Sequence, residues 1–277
     1  MEQKQDDGST AAAEGEEEPQ HSSFGVETAA AAAAAAKPVP EDDEDIYEID
    51  ENGDIMLDEA GNPIRLPPPP DPLPLYRKLT ASHPVVLGKS KSRKERIAKD
   101  LTSPDLVYGE VTFELMQAVF NELKRMGGVL HRRSGVFVDL GAGLGKPVFS
   151  AALLHSFKKC VGVEVLQTLH ESSEEMNEIF NKRCRPLLNH PPKIKLLLGD
   201  VAEVPWWKSS TVVFINMTTF TEQLIEVIKD RAATMKRGTV CITVTKQLHS
   251  KAWEVVHTSE QELNWGPSHV YIHTKVL

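Results

Sequence analysis

The sequence is poor in cysteine and has no long apolar run. Its three cysteines (Cys160, Cys184 and Cys241) are scattered, set among apolar residues and without the paired spacing of a metal site, so they are predicted to be reduced core residues. No charged-then-apolar leader opens the chain, and no apolar run is long enough to cross a bilayer. We therefore expect a soluble, intracellular protein without a metal.

Positive charge is almost missing from the first part of the chain. Residues 1–60 hold 19 acidic and 2 basic side chains, a net charge of −17, whereas the whole chain carries −9, so the remaining 217 residues carry +8. An acidic tail on a basic body is typical of proteins that work near nucleic acid or basic proteins. Solvated disorder alone explains the same pattern equally well.

Residues 1–66 are predicted to be an acidic disordered tail, because they contain few β-branched or aromatic side chains and a run of eight alanines. The acidic stretch 48–59 partly matches a calcium loop, but the prolines that follow exclude its exit helix. A hairpin-like segment with turns at Asn52-Gly53 and Gly61-Asn62 is the better interpretation.

Residues 67–104 are predicted to be a linker that is first proline-rich and then basic. The run Pro67–Pro70, continuing to Pro74, is typical of a stiff extended spacer. The stretch from Lys89 to Lys99 follows, with five basic residues in its first eight. It indicates a nuclear import signal or a surface that contacts nucleic-acid phosphates, and a solvated helix start is the plain alternative.

The sharpest motif is a run of β-forming residues that ends in Asp139 and is followed by glycines at 141, 143 and 145. A strand, a tight glycine turn and a helix start let a nucleotide-like cofactor approach the backbone closely. A carboxylate at the strand end suits a cofactor with a cationic methionine moiety better than a triphosphate. The motif therefore predicts an S-adenosylmethionine site, with a purely structural turn as the alternative.

Strands and helices alternate after an amphipathic helix that begins near Val111. Predicted strands are 136–140, 160–165, 194–198, 211–216 and 239–245; predicted helices are 147–157, 167–183 and 221–235; two extended runs, 253–263 and 269–276, close the chain. This alternation predicts an α/β fold over residues 105–277: a mostly parallel seven-stranded sheet with helices on both faces, the class I S-adenosylmethionine-dependent methyltransferase fold.

A polar residue closes each of four consecutive predicted strands, where ligands bind in such sheets. Asp139 closes the first strand, and Glu164 closes the second, placed to accept hydrogen bonds from both ribose hydroxyls. Asp200 closes the third strand and can accept from an adenine amino group, while Val201 covers the ring. Asn216 closes the fourth strand. Singly each could be a surface residue, but together they favour a methyltransferase.

Ahead of the domain lies Tyr108-Gly109-Glu110, which suits a loop that folds over the cofactor. A simple helix cap, with Glu110 favouring the helix dipole, is the alternative. Together with Asp-Leu-Gly-Ala-Gly-Leu-Gly-Lys at 139–146, Gly-Val-Glu at 162–164 and Gly-Asp at 199–200, this loop resembles the disruptor-of-telomeric-silencing family, the non-SET methyltransferases of nucleosomal histone lysine. The family has Tyr-Gly-Glu-Thr-Ser-Phe and Asp-Leu-Gly-Ser-Gly-Val-Gly-Gln at the first two places.

The resemblance covers about residues 105–277 and implies which residues hold the cofactor or surround the transferred methyl group. Tyr108 and Asn216 are implied to orient the substrate amine. The implied cofactor-binding residues are Glu110, Thr112, Asp139, Gly141, Gly143, Glu164, Asp200, Val201 and Asn216.

The sequence departs from the family at the implied wall of the lysine channel. Met217 replaces a second asparagine, Thr218 and Thr219 replace Phe-Ala, and Val270 replaces a tyrosine. The resemblance implies a nuclear protein-lysine methyltransferase that acts on a nucleosomal core histone. A methyltransferase of a non-histone protein lysine and an inactive recruitment module remain as alternatives.

Overall fold

The structure is a computed structural model, and it describes residues 47–48, 50, 54–130 and 133–277. These residues form six α-helices and seven β-strands. In chain order they are α1 (Pro72–Thr80), α2 (Val85–Ala98), α3 (Phe113–Met126), β1 (Val136–Leu140), α4 (Lys146–Leu154), β2 (Lys159–Glu164), α5 (Gln167–Arg183), β3 (Lys193–Leu198), β4 (Val212–Asn216), α6 (Glu222–Ala233), β5 (Val240–Val244), β6 (Trp253–Leu263) and β7 (Gly266–Lys275).

The seven strands form one sheet in the order β3-β2-β1-β4-β5-β7-β6. Strands β1 to β5 run parallel, and β7 lies antiparallel between β5 and β6. The strand order reverses between β1 and β4, which opens a crevice at the carboxyl ends of these strands. This sheet, with its last strand inserted antiparallel, confirms the predicted class I methyltransferase fold.

Alternating side chains of the strands feed two hydrophobic cores, one on each face of the sheet. Phe137, Phe214 and Ile242 point to the face covered by α1, α3, α4 and α5. Val138, Val213 and neighbouring strand residues point to the other face, where α6 contributes Ile225 and Ile228. The period of two along each strand thus buries both faces, as a parallel sheet requires.

The predicted elements of residues 111–277 are all present, with ends that differ by a few residues. Helix α5 and strand β6 have the predicted bounds. Strand β7 begins at Gly266, three residues earlier than predicted, because Asn264 and Trp265 alone make the turn that follows Leu263. The final hairpin is therefore tighter than its sequence suggested.

The structure differs from the predicted linker at 67–104, because this segment contains helices α1 and α2, which pack against α4 and α5. Helix α1 begins at Pro72, with the Asp71 side chain accepting a hydrogen bond from the Leu73 amide. Prolines are tolerated in a first helical turn, where the missing N–H would have no partner. The proline-rich stretch thus leads into a helix, and the basic stretch is part of the folded unit.

Glu95, the acid within the basic stretch, fixes α2 to the start of α5. Its buried carboxylate accepts hydrogen bonds from the Gln167 and Thr168 amides, at 3.1 and 2.8 Å, and from Lys99 at 2.7 Å. These donors outweigh the cost of burial and lower the pKa of Glu95 to about 2. Helix α5 has no side-chain cap of its own, so α2 supplies one.

The predicted hairpin-like segment is described in part. Antiparallel bridges join Tyr47 to Arg65 and Leu57 to Pro63, and the Asp58 carboxylate accepts hydrogen bonds from the Ala60 and Asn62 amides. These bonds lower the pKa of Asp58. The turn before Pro63 is confirmed, and the disordered tail predicted for residues 1–66 is wrong for the described residues between 47 and 66, which these bridges and hydrogen bonds order. The predicted turn at Asn52-Gly53 and residues 1–46 lie outside the described residues.

The three cysteines are buried free thiols, as predicted, and burial raises the thiol pKa of each. Within the described ranges, no helix is long and apolar enough to cross a membrane. The same residues contain no cluster of three histidine, cysteine or acidic side chains that could hold a metal ion.

Candidate functional site

A cavity of about 500 Å³ opens at the carboxyl ends of the parallel strands, under residues 103–110. This volume is in the range of small-molecule sites. Most of the predicted site residues line it: Tyr108 and Glu110 from the loop, Gly141 from the glycine turn, and Glu164, Asp200, Val201 and Asn216 from the strand ends. Asp139 lines a smaller adjoining space, together with Tyr108, Glu110 and Asn216.

The glycine turn after β1 adopts backbone conformations that favour glycine. Gly141, Gly143 and Gly145 have φ of 78°, 56° and 80°. A Cβ atom at Gly143 would lie 2.5 Å from the Tyr108 ring, and one at Gly141 would lie 3.3 Å from the ring of Phe220. The turn therefore lets two aromatic rings approach the backbone, which side chains at these positions would prevent.

Glu164, at the end of β2, is buried and holds the glycine turn in place. One carboxylate oxygen accepts a hydrogen bond from the Gly143 amide at 2.7 Å, and the other accepts from the Leu166 amide at 2.8 Å. Burial raises its pKa despite these bonds. Each oxygen retains a further lone pair, so the carboxylate can still accept from a ligand in the cavity.

The carboxylate of Asp139 lies in surroundings that disfavour its charged form. It is buried, and within the described part of the chain its Oδ2 accepts no hydrogen bond. Burial, followed by repulsion from Glu164, raises the pKa of Asp139 well above its ordinary value. A cationic ligand in the small adjoining space would relieve both effects.

The loop residues Tyr108 and Glu110 form a hydrogen-bonded unit with Lys146, the first residue of α4. The Tyr108 hydroxyl donates to one oxygen of Glu110, and the Lys146 ammonium lies 2.6 Å from the other oxygen. Burial, together with the charge of Glu110, raises the pKa of Tyr108 well above its ordinary value. The Tyr108 ring also lies against Gly88 of α2, where an added Cβ would lie 2.3 Å from it.

Three segments of the chain meet beside Gly109 in the lining of the larger cavity. A Cβ at Gly109 would lie 3.4 Å from the Trp265 ring and 3.8 Å from the Asn216 amide nitrogen. The Trp265 indole N–H donates to Ser268, and the Asn216 Oδ1 accepts from the Thr218 hydroxyl at 2.7 Å. These bonds hold the indole ring and the amide beside Gly109 in the lining of the larger cavity. The space that these three residues border is called the slot below.

Four of the implied site and wall residues line neither cavity: Thr112, Gly143, Met217 and Val270. Thr112 caps α3, its hydroxyl accepting from the Leu115 amide at 3.1 Å. Met217 and Val270 are buried in the hydrophobic cores, so the expectation that they alter the channel wall is wrong. Thr218 and Thr219 do line the larger cavity.

Trp265, Val165 and Lys146 line the cavities but were not predicted as site residues. Trp265 had been assigned only to a turn, and the exposed Val165 offers an apolar surface in the cavity beside Glu164. Lys146 stands where the family motif has glutamine, and this difference was the available signal. A lysine in place of an uncharged residue within the glycine motif indicates a different contact at that position.

The chain is similar to named histone methyltransferases of other organisms. It is 30% identical over 170 residues to the "Histone-lysine N-methyltransferase, H3 lysine-79 specific" of Aspergillus fumigatus, covering 60% of this chain and 32% of that protein. The Drosophila melanogaster protein of the same name is 30% identical over 139 residues, covering 49% of this chain and 7% of that protein. The chain thus spans less than a third of the length of either relative.

Among solved structures, TrmN from Thermus thermophilus is similar at a TM-score of 0.48 and 15% identity, covering 62% of this chain and 52% of that one. The family model described as "Histone methylation protein DOT1" matches residues 92–270, which include the loop, the glycine turn, the strand ends and Trp265. This match covers well over half of the chain and confirms the resemblance drawn from the motifs. The chain belongs to the DOT1 family of histone methylation proteins.

Proposed function

We propose that this protein is an S-adenosylmethionine-dependent protein-lysine N-methyltransferase that acts on a core histone of the nucleosome, as the H3 lysine-79 relatives are named to do. One observation carries the proposal: the strand-end acids Glu164 and Asp200 line the same cavity as Tyr108 and Asn216. The acids suit the cofactor, and the slot beside Asn216 suits an extended amine.

The described residues fit the cofactor chemically. The partnerless oxygen of Asp139 suits the ammonium of a methionine moiety, and the free lone pairs of Glu164 suit ribose hydroxyls. Val165 and Val201 offer apolar surface for an adenine ring, next to Asp200 as an acceptor for its amino group. When bound, S-adenosylmethionine supplies an electrophilic methyl group on a sulfonium sulfur.

The chain's own residues then act on the amine. We infer that the slot between Trp265, Gly109 and Asn216, which line the larger cavity together, admits the lysine side chain and that its lining excludes water around the amine. Such exclusion disfavours the ammonium form and lowers the pKa of a lysine amine that enters. Among the described lining residues of the larger cavity there is no histidine, so desolvation rather than a histidine base is the proposed route to the free amine.

The test is transfer of labelled methyl groups to nucleosomes, free histones and a cell lysate. Labelling of a core histone within nucleosomes supports the proposal, and mass spectrometry identifies the lysine. A wild-type protein that binds S-adenosylhomocysteine but labels nothing in any of the three favours a recruitment role instead.

One observation favours a second candidate, a methyltransferase of a non-histone protein lysine. Thr218 and Thr219 line the cavity at positions where the family motif has the apolar pair Phe-Ala, so this wall is more polar. Labelling of a non-histone protein in the lysate, with nucleosomes unlabelled, selects this candidate.

Helix α2 is the proposed contact with nucleosomal DNA, and the proposed location is the nucleus. Lys89, Arg93 and Lys94 are exposed, and Lys89 reaches the rim of the larger cavity. Lys91 instead donates to Ser172 of α5, so it holds the helix in place. Replacing the three exposed residues by glutamine should weaken nucleosome binding and reduce its salt dependence, whereas Lys182→Gln on α5 should do neither.

A further inference from the structure

The pair formed by Lys146 and Glu110 is unusual because both charges are buried. Their side chains are 8% and 6% exposed, and the ammonium lies 2.6 Å from the carboxylate. Lys146 is also the first residue of α4, where the helix dipole disfavours a cation. A buried ammonium in that position depends on its partner carboxylate, because an unpaired buried charge is strongly unfavourable.

This pair controls the position of Tyr108. The second oxygen of Glu110 accepts the hydrogen bond of the Tyr108 hydroxyl, and the Tyr108 ring fills the space between Gly88 and Gly143. A movement of Glu110 away from Lys146 would therefore move the ring away from the glycine turn. The ion pair thus connects the start of α4 with the cover of the cavity.

The cover loop, residues 103–112, is held at its other end by a different contact. The Asp105 carboxylate accepts hydrogen bonds from the amide and hydroxyl of Thr221, at the start of α6. Between the two attachments lie the exposed Val107 and Gly109. The loop is thus fixed to α6 at one end and, through the buried ion pair, to α4 at the other. Between these ends the Leu106 carbonyl accepts a hydrogen bond from the Ser92 hydroxyl and the Val107 carbonyl accepts one from the Thr219 hydroxyl.

We propose that Lys146 is a positioning residue: it fastens the cover loop through Glu110 and thereby sets the affinity for the cofactor. The inference rests on the proposed function for the identity of the cofactor, but the fastening itself does not. It is a feature of this chain, since the family motif has glutamine in place of Lys146.

The experiment is a double-mutant cycle with Lys146→Gln, Glu110→Gln and the double variant, measured first without cofactor. Hydrogen exchange of the amides of residues 107–112 should be about tenfold faster in each single variant, because each leaves one buried charge unpaired. The double variant replaces the ion pair by two neutral amides and should return to within about threefold of wild type. Lys182→Gln, from the exposed pair with Glu178, is the matched control and should change nothing.

The second readout is binding of S-adenosylhomocysteine by titration calorimetry. Each single variant should bind about tenfold more weakly, and the loss in the double variant should be clearly smaller than the product of the two single losses, because Glu110 also lines the cavity and its replacement has an effect of its own. In methyl transfer, the KM for the cofactor should rise while kcat at saturating cofactor changes less than about threefold.

Two results would overturn the proposal. One is an exchange rate in the double variant that equals the combined increases of the two single variants. The other is an unchanged exchange rate in Lys146→Gln. If a single variant does not fold, a folded double variant with wild-type exchange supports the pairing, and an unfolded one refutes it. If exchange behaves as expected but no form binds S-adenosylhomocysteine, the fastening stands and the proposed function fails.

Discussion

The cofactor side and the substrate side of the cavity are built in different ways. On the cofactor side, Asp139, Glu164 and the glycine turn belong to adjacent parallel strands and their first turns, and hydrogen bonds of 2.7 and 2.8 Å join Glu164 to its neighbours. On the substrate side, Gly109, Asn216 and Trp265 come from a loop, a strand end and a hairpin tip far apart in the chain.

The difference explains which side can vary. A change on the cofactor side disturbs strand ends that are bonded to one another, so its residue types are narrowly determined. The substrate wall, by contrast, contains Thr218 and Thr219 in place of the family's Phe-Ala, and both residues follow strand β4, whose pairing with β5 ends at Asn216. Variants should therefore separate into those that lose cofactor affinity and those that lose turnover.

The largest effect is expected for Gly143→Val. The new Cβ would lie 2.5 Å from the Tyr108 ring at a φ of 56°, so the turn or the ring must move. Because both border the cofactor cavity, this movement should lower the affinity for S-adenosylhomocysteine by roughly 100-fold, about 2.7 kcal/mol. Gly128→Val is the matched control, because Gly128 has a φ of 61° with open space around it. Equal affinities of the two variants in calorimetry would show that the turn does not contact the cofactor site.

On the substrate side, Asn216→Ala should lower turnover much more than cofactor affinity. Loss of an orienting amide in a closed slot typically lowers turnover by about 10²–10³-fold, whereas affinity for S-adenosylhomocysteine should stay within about threefold of wild type. Asn181→Ala, on the exposed surface of α5, is the control. Steady-state kinetics with nucleosomes measure turnover, and calorimetry measures cofactor affinity. Equal losses of turnover and of affinity would show that Asn216 does not act on the substrate side alone.

Glu95→Ala tests the contact between α2 and the start of α5, next to the cofactor side. It removes the cap of α5, so the free energy of unfolding should fall by about 2 kcal/mol near neutral pH. The pKa of Glu95 is about 2 when folded and 4.5 ordinarily, so its stabilising effect is complete above pH 4.5 and is lost as the pH falls towards 2. Denaturant unfolding of wild type and variant should therefore converge in acid; parallel curves would assign the loss to packing.

The smallest effect is a pH dependence of cofactor binding. Asp139 has a raised pKa in the free protein, and a bound cation lowers it again, so S-adenosylhomocysteine, which carries an ammonium, should bind more tightly as the pH rises through that raised value. Binding should release a proton, detectable by calorimetry in buffers of different ionisation enthalpy. Asp139→Asn should remove both the proton release and this part of the pH dependence.

The fold was predictable because its signals are local. Strand and helix periods differ along the chain, and α5 and β6 have the predicted bounds. The site was predictable where strand ends carry it, since parallel order alone brings Glu164, Asp200 and Asn216 to one edge. The segment of α1 and α2 was predicted to be a linker, because prolines and clustered charges are typical of linkers. Prolines are nevertheless compatible with the start of a helix, as in α1, and clustered charges with its exposed side, as in α2.

The substrate side was less predictable, because its residues meet only through tertiary packing. Trp265 reaches Gly109 through a two-residue turn whose tightness the sequence did not reveal. Val270 had been placed in the channel, but successive residues of a strand face opposite sides, and its side belongs to the core. Which face a strand residue occupies depends on register with β5, and register is not a local property.

The docking of α2 has a practical consequence for anyone who expresses part of this protein. A fragment that starts at residue 105 retains the glycine turn and every strand, yet it lacks Glu95 at the start of α5 and Gly88 behind the Tyr108 ring. Such a fragment would expose the flank of α5 and leave its cover loop unsupported. A piece that keeps these contacts must include α2, and one that also keeps α1, which packs against α4 and α5, begins at or before Asp71, the residue that caps α1.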